Sequence, residues 1–197
     1  MDSSASPMAE SNSGDRDLYQ RLAKGREEAF STLYERYQGP IFRFAWHMTG
    51  NNATAEDVTQ DVFMQLIRNP KNYDPAKGSV AGYLFGIARN LIRRRLDRSR
   101  LDEPLVEDGT EGDGSLLASA TDLLADLTRA DLFECLQKAI EALPGQYREV
   151  IVLCDLEEMS YPQAAEFLEC PPGTIASRLH RARLMLRARL ECNGCVK

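Results

Sequence analysis

Residues 160–183 read SYPQAAEFLECPPGTIASRLHRAR, and this stretch decides the fold. Ser160 is a helix-capping residue, and Ala164, Ala165, Phe167 and Leu168 behind it form the apolar side of a short helix. Residues 169–172 carry two prolines, which lack the N–H a helix needs, so they make a tight turn. Gly173 and Thr174 open a second, longer helix with Ile175, Leu179, Ala182, Leu186 and Leu190 on one side. A short helix, a turn and a longer basic helix form the helix-turn-helix pattern. Thr174, Ser177, Arg178, His180, Arg181 and Arg183 occupy the start and the polar face of that second helix. Arginine forks onto phosphates or guanine edges, and serine and histidine hydrogen-bond to either.

Outward from this unit the pattern stays helical. On its N-terminal side, residues 147–156 read as one helix and residues 122–143 as another, separated by Pro144-Gly145. Residues 101–119 hold Pro104, Gly109, Gly112 and Gly114 among acids, a composition that buries too little surface to order itself. We read 101–121 as an acidic linker between two domains. Residues 15–48 carry a helical apolar stripe (Ala29, Phe30, Leu33, Tyr34, Tyr37) that Gly39-Pro40 interrupts, so a kink or a new helix is expected there. Thr54 is the expected cap of the next helix, with Val58, Val62, Leu66 and Ile67 as its buried stripe and Asn69-Pro70 as its stop. After a loop over 71–78, Ser79 caps a long helix running to about Arg98. No strand pattern and no repeat interrupts this series. The expected fold is all-α: a leader over 1–14, helical domains over 15–100 and 122–191, and a tail over 192–197.

Charge distribution says more than the total. The 197 residues have a formal net charge of −6, which on its own argues against a nucleic-acid partner. Yet Arg89, Arg93, Arg94, Arg95, Arg98 and Arg100 face one acid, Asp97, and residues 173–190 contain five arginines and no acid. The linker acids account for the negative sum. The aromatics Tyr73, Tyr83 and Phe85 lie beside the first basic cluster, a combination suited to unpaired DNA, where bases stack on rings and phosphates meet cations. Phe85 reads as core, while Tyr73 and Tyr83 read equally as core or as stacking surface. No apolar run reaches the roughly 20 residues of a membrane span, and the polar N-terminus lacks the pattern of a secretory signal. The chain reads as cytoplasmic, without membrane insertion.

Chemistry other than binding has little support. His47 and His180 are far apart, and no phosphate loop, metalloprotease motif or nucleophile elbow is present. We expect no enzyme and no cofactor. Cys135, Cys154 and Cys170 lie in apolar helical contexts and read as buried thiols. Cys192 and Cys195 form a CxxC pair, half the ligand set of a tetrahedral zinc site, so they stand only as candidates.

Two segments, AEDVTQDVF over 55–63 and GYLFGIARN over 82–90, resemble the polymerase-binding helix and the promoter −10 helix of the sigma-2 domain of bacterial sigma factors. ALP over 142–144, YPQAA over 161–165 and GTIASRLHRAR over 173–183 resemble the sigma-4 domain. Two such modules in this order, with only a short linker between them, are similar to the extracytoplasmic-function (ECF) class. The resemblance implies that Asp57, Gln60 and Asp61 contact the largest subunit of core RNA polymerase. It implies that Tyr73, Lys77, Ser79 and Tyr83 capture the −10 element of promoter DNA, with Arg89, Asn90, Arg93 and Arg94 holding the duplex or strand beside it. The sigma-4 helix would read the −35 element. An anti-sigma factor is implied as a further partner. The sequence departs from the pattern where Tyr83 stands in place of a frequent Trp and Ala176 in place of a frequent basic residue. Two alternatives come from the residues alone: a helix-turn-helix regulator that never joins polymerase, and a thiol or metal sensor acting through Cys192 and Cys195.

Overall fold

A computed structural model describes residues 12–102 and 123–192. All eight α-helices it describes fall into two groups of four, and no strand occurs among the described residues. The first group is α1 (Asn12–Ala23), α2 (Glu27–Thr49), α3 (Asn52–Arg68) and α4 (Val80–Asp102). The second is α5 (Leu123–Glu141), α6 (Gly145–Ile151), α7 (Tyr161–Phe167) and α8 (Pro172–Cys192), with a π-helical turn over Val152–Leu156 after α6. The start of α1 falls inside the expected leader, whose residues 1–11 lie outside the described residues, as do 103–121 of the expected linker and 193–197 of the tail.

Several local expectations change. The helical stretch over 15–48 is broken at Gly25, whose φ of +78° suits a residue without a side chain and closes α1. Gly39-Pro40, by contrast, starts no new helix: α2 runs through Pro40. An interior proline costs about 3 kcal/mol. Leu33, Tyr37, Ile41, Phe44, Ala45 and Met48 are buried on both sides of it, and each large side chain so buried contributes about 1.5–3 kcal/mol. Packing therefore outweighs the lost hydrogen bond. The cap of α3 is Asn51, not Thr54; the Thr54 amide, two residues into the helix, donates to Asn51 Oδ1 at 2.8 Å. Ile67 is exposed while Phe63 is buried. Ile67 lies nine positions beyond Val58, about two and a half turns, and so faces the opposite way.

Other expectations hold. Ser79 Oγ accepts from the Gly82 amide at 3.0 Å at the start of α4. Ser160 caps α7 in a capping box, with Gln163 Oε1 taking the Ser160 amide at 3.0 Å. Phe85 is core, as read. The cysteines depart from expectation: Cys154 and Cys170 are free but half-buried instead of buried, and Cys135, expected as a buried free thiol, is half-buried and disulfide-bonded.

Helix α2 packs against α1, α3 and α4, and α8 packs against α5, α6 and α7. The two groups also pack on each other, through α4 with α7 and α2 with α5 and α6. Phe44 of α2, Phe85 of α4 and Phe167 of α7 meet edge-to-face across this junction, with centroids 5.4 to 6.2 Å apart. Trp46 of α2 stacks on Phe133 of α5 at 5.5 Å. No described helix is long and apolar enough to cross a membrane.

Candidate nucleic-acid interface

Helix α8 opens where Pro171 O takes the Thr174 amide at 2.8 Å. Glu169 turns the chain in the left-handed region, φ +52°, and the Cys170 amide returns to Ala165 O at 3.0 Å to finish α7. Ile175, Leu179 and Ala182 are buried beneath the helix. That seam leaves Ser177, His180 and Arg181 exposed and Arg178 and Thr174 half-exposed on the outer face. Ser177 Oγ donates to Thr174 O at 3.0 Å. Arg178 and Arg181 form no ion pair among the described residues. Arg183 differs: its guanidinium holds Asp155 of the π-helical turn in two hydrogen bonds of 2.9 and 2.5 Å, which raise its pKa further.

The second arginine set lies along α4. Asn90, Arg93 and Arg94 are exposed. Lys77 is exposed in the preceding loop, 4.0 Å from Asp74. Tyr73 is buried: its hydroxyl donates to Gly78 O at 2.9 Å, and its ring lies 4.7 Å from Tyr19 and 5.6 Å from Tyr83. Burial raises the pKa of both the Tyr73 and Tyr83 hydroxyls. Tyr83 is partly buried, so the tyrosines form a packed cluster, with only Tyr83 offering ring surface in this arrangement. Arg89 is engaged by the second helical group. It donates to Glu149 of α6 at 2.6 and 3.1 Å and lies 5.9 Å from the ring of Phe167.

The acids expected to meet polymerase share one edge of α3. Asp57 and Gln60 are exposed; Asp61 is half-exposed and takes a hydrogen bond from Arg95 of α4 at 2.9 Å, with Asp57 4.0 Å from the same guanidinium. Beside them Phe30, Tyr34, Phe63, Met64 and Ile67 line an open cleft between α2 and α3. Tyr34, Met64 and Ile67 are exposed large apolar side chains, and an apolar patch edged by charge is the usual form of a protein-binding surface. Of the cysteine pair, Cys192 is exposed at the end of α8 and Cys195 lies outside the described residues; no group of metal-ligating side chains occurs among the described residues.

Sequence reasoning missed the residues that join the two groups. Arg43 of α2 donates to Glu157 at 2.9 and 2.7 Å. Burial pushes the Glu157 carboxyl upward against the pull of Arg43. His47 Nδ1 lies 2.7 Å from Gln137 Oε1, and burial lowers its pKa despite that bond. Arg148 donates to Met48 O at 2.8 Å, and burial lowers its pKa. The one signal was the acid Glu149 directly before the apolar run over 150–154, where burial favours pairing with a cation.

Two helical groups, each presenting arginines along one helix and one of them a helix-turn-helix, define a DNA-binding protein. The comparison with known proteins narrows the class. The family profile described as Sigma-70 region 2 matches residues 33–101, and that described as Sigma-70, region 4 matches residues 133–186. The ECF RNA polymerase sigma factor SigW of Bacillus subtilis is 31% identical over 180 residues, covering 87% of this chain and 94% of SigW. SigM of the same organism is 31% identical, covering 79% of this chain and 91% of SigM. Among solved structures, CnrH in complex with the cytosolic domain of CnrY superposes with a TM-score of 0.67 at 26% identity, over 90% of this chain and 97% of CnrH. The sigma factor RpoE of Bartonella quintana, in complex with the anti-sigma factor NepR, gives a TM-score of 0.63 at 25% identity, over 82% of this chain and 96% of RpoE. The chain belongs to the ECF sigma factors, which direct core RNA polymerase to promoters and are generally not enzymes.

Proposed function

We propose a division of labour among three surfaces. Asp57, Gln60 and Asp61, with the apolar cleft between α2 and α3, bind core RNA polymerase. Thr174, Ser177, Arg178, His180, Arg181 and Arg183 read the −35 element in the major groove. Lys77, Ser79, Tyr83, Arg89, Asn90, Arg93 and Arg94 capture and hold the −10 element, and Tyr73, buried beneath Tyr83, supports that surface and does not itself offer a stacking face. Residues 15–100 and 122–191 act as separate domains on polymerase, with 101–121 as the tether. The chain works in the cytoplasm, catalyses no reaction of its own, and is restrained by an anti-sigma factor, as CnrH and the Bartonella RpoE are each bound by a protein partner.

The observation that carries this is the outer face of α8. Ser177, His180 and Arg181 are exposed above a buried apolar seam, and Arg178 beside them has no acid partner among the described residues. A bidentate arginine on the right base is worth about 1–3 kcal/mol of discrimination. On the −10 side, capture of unstacked bases offsets the few kcal/mol per step needed to open the duplex. Because polymerase fixes the distance between the domains, engagement at one element raises the effective concentration of the other domain at its own.

The test is transcription in vitro with sigma-free core polymerase on a promoter library. The proposal expects discrete start sites set by two elements, and Arg178→Ala weakening selection at the −35 element more than binding to random DNA. Absence of any directed start, with the protein folded and no inhibitor present, would refute it. Equal loss on specific and random DNA would reduce Arg178 to a phosphate contact.

A further inference from the structure

We infer that Cys135 of α5 is bonded to Cys195, that this bond fastens the end of α8 to α5, and that Cys192 is the thiol that opens it by exchange. The chain has five cysteines. Cys154, Cys170 and Cys192 are free, and Cys135 is in a disulfide. Only Cys195 is left to close that bond. The two helices bring the ends together. Cys135 shares a face of α5 with Ala139 and Ala142, four and seven positions on. Those two alanines line a groove with Met185, Ala188 and Cys192 of α8. Cys195 follows Cys192 by three residues, a reach of about 10 Å, and a disulfide joins Cα atoms about 5–6 Å apart, so the spacing suits a bond back to α5. Asn193-Gly194 between the two cysteines is a turn-forming pair. The end of α8 has need of such a fastening: Ile175, Leu179 and Ala182 are buried, and no residue of the helix beyond Ala182 is.

The exchange is balanced within the chain. The Cys192 thiolate attacks the Cys195 sulfur, the Cys135–Cys195 bond breaks as a Cys192–Cys195 bond forms, and the proton lost by Cys192 is taken up at Cys135. An added dithiol then gives its two hydrogens to the Cys192–Cys195 pair and leaves as its own disulfide. Cys192 is exposed and open to such a reagent, while Cys135 is half-buried. Cys154 takes no part: burial pushes its thiol up to about 11, which leaves little thiolate at neutral pH. Bacterial RNA polymerase works where thiols are kept reduced, and a disulfide in that setting senses oxidants and is not a permanent staple. Oxidation thus fixes the last turns of α8 on α5, and reduction lets them go.

The test uses the full chain equilibrated with oxidised glutathione, which takes up the two thiol hydrogens and leaves as two reduced molecules. After an acid quench and alkylation, mass spectrometry is expected to find Cys135 linked to Cys195 and Cys192 alkylated. Cys135 left alkylated, or linked to any other cysteine, overturns the pairing. Hydrogen–deuterium exchange then compares the oxidised protein with the same protein treated with dithiothreitol. Residues 184–192 are expected to exchange about tenfold faster after reduction, and residues 174–181 to stay within about twofold. Equal exchange over 184–192 in the two states refutes the fastening. C192S alters an exposed side chain at the helix end and is expected to fold and to form the same bond. Under limiting dithiothreitol it should release the Cys135 thiol about tenfold more slowly than wild type, because it lacks a thiol held at high effective concentration beside the bond. Release at the wild-type rate removes Cys192 from the exchange.

Discussion

Replacing Arg43 by methionine tests whether the junction is held by charge. The Glu157 side chain is 2% exposed, while that of Arg43 is 54% exposed. Removing one partner of a buried pair costs about 3–5 kcal/mol, because the other charge stays buried and unsatisfied. The half-exposed Arg43 head is partly screened and leaves a path for water, which brings the expected cost to about 2 kcal/mol. Glu157→Gln removes the buried charge itself, keeps an acceptor for Arg43, and is expected to cost less than about 1 kcal/mol. The two changes also differ in pH dependence. Burial raises the Glu157 pKa and Arg43 opposes the rise, so in R43M the rise is unopposed. A carboxyl with a raised folded-state pKa binds protons more tightly folded than unfolded, so stability increases as pH falls through that range. Urea unfolding of R43M and wild type, compared at about pH 7.5 and about pH 5.5, should show the deficit shrinking at the lower pH. A cost below about 0.5 kcal/mol, or a deficit that grows on acidification, would refute the reasoning.

Three further outcomes are expected of the same fold. His47, faced by Arg43 on its own helix and by Gln137 and Glu141 on α5, has its pKa lowered by burial. The unfolded chain therefore takes up its proton first as pH falls below about 6.5, so wild-type stability should decline there, and His47→Gln should flatten the slope in melts from about pH 7.5 to pH 6. Ser160→Ala removes one half of the capping box on α7 and should cost about 1 kcal/mol in urea unfolding, against a few tenths for Ser160→Gly. Phe85→Ala empties the centre of the Phe44–Phe167 contact and should cost about 3–5 kcal/mol, with loss of the Trp46 fluorescence environment at the same denaturant concentration as helicity.

The parts of the fold that were legible in the sequence are those where local chemistry and packing agree. Ser160 and Ser79 cap the helices they precede, and the seam Ile175, Leu179, Ala182 is buried as its spacing requires. The errors fall where packing overrides a local rule. Pro40 stays inside α2 because the buried side chains on either side outweigh one lost hydrogen bond. Asn51 takes the cap from Thr54 because the chain is already extended there, φ −128°. Contacts between the groups were scarcely legible, Glu149 before its apolar stretch being the one hint. Arg43, Glu149, Glu157 and Glu166 are separated from their partners by 60 to 114 residues, and no periodicity links positions so far apart. For α4 and α8 the arginines themselves were evident, but which of them stand open was not: among the described residues Arg89 and Arg183 are held by acids, and Arg178 and Arg181 are not.

That division explains how a chain of net charge −6 can serve DNA. A positive face open at all times would hold a protein on random duplex, since phosphate attraction alone supplies non-specific affinity. Here the acids are placed against particular arginines and not merely added to the total. Glu149 covers Arg89 and Asp155 covers Arg183, while the middle of the α8 face stays open. A net charge of −6 opposes approach to bulk DNA at long range, where the sum dominates. At short range individual pairs decide, and those at Arg89 can be broken only by something that separates α4 from α6.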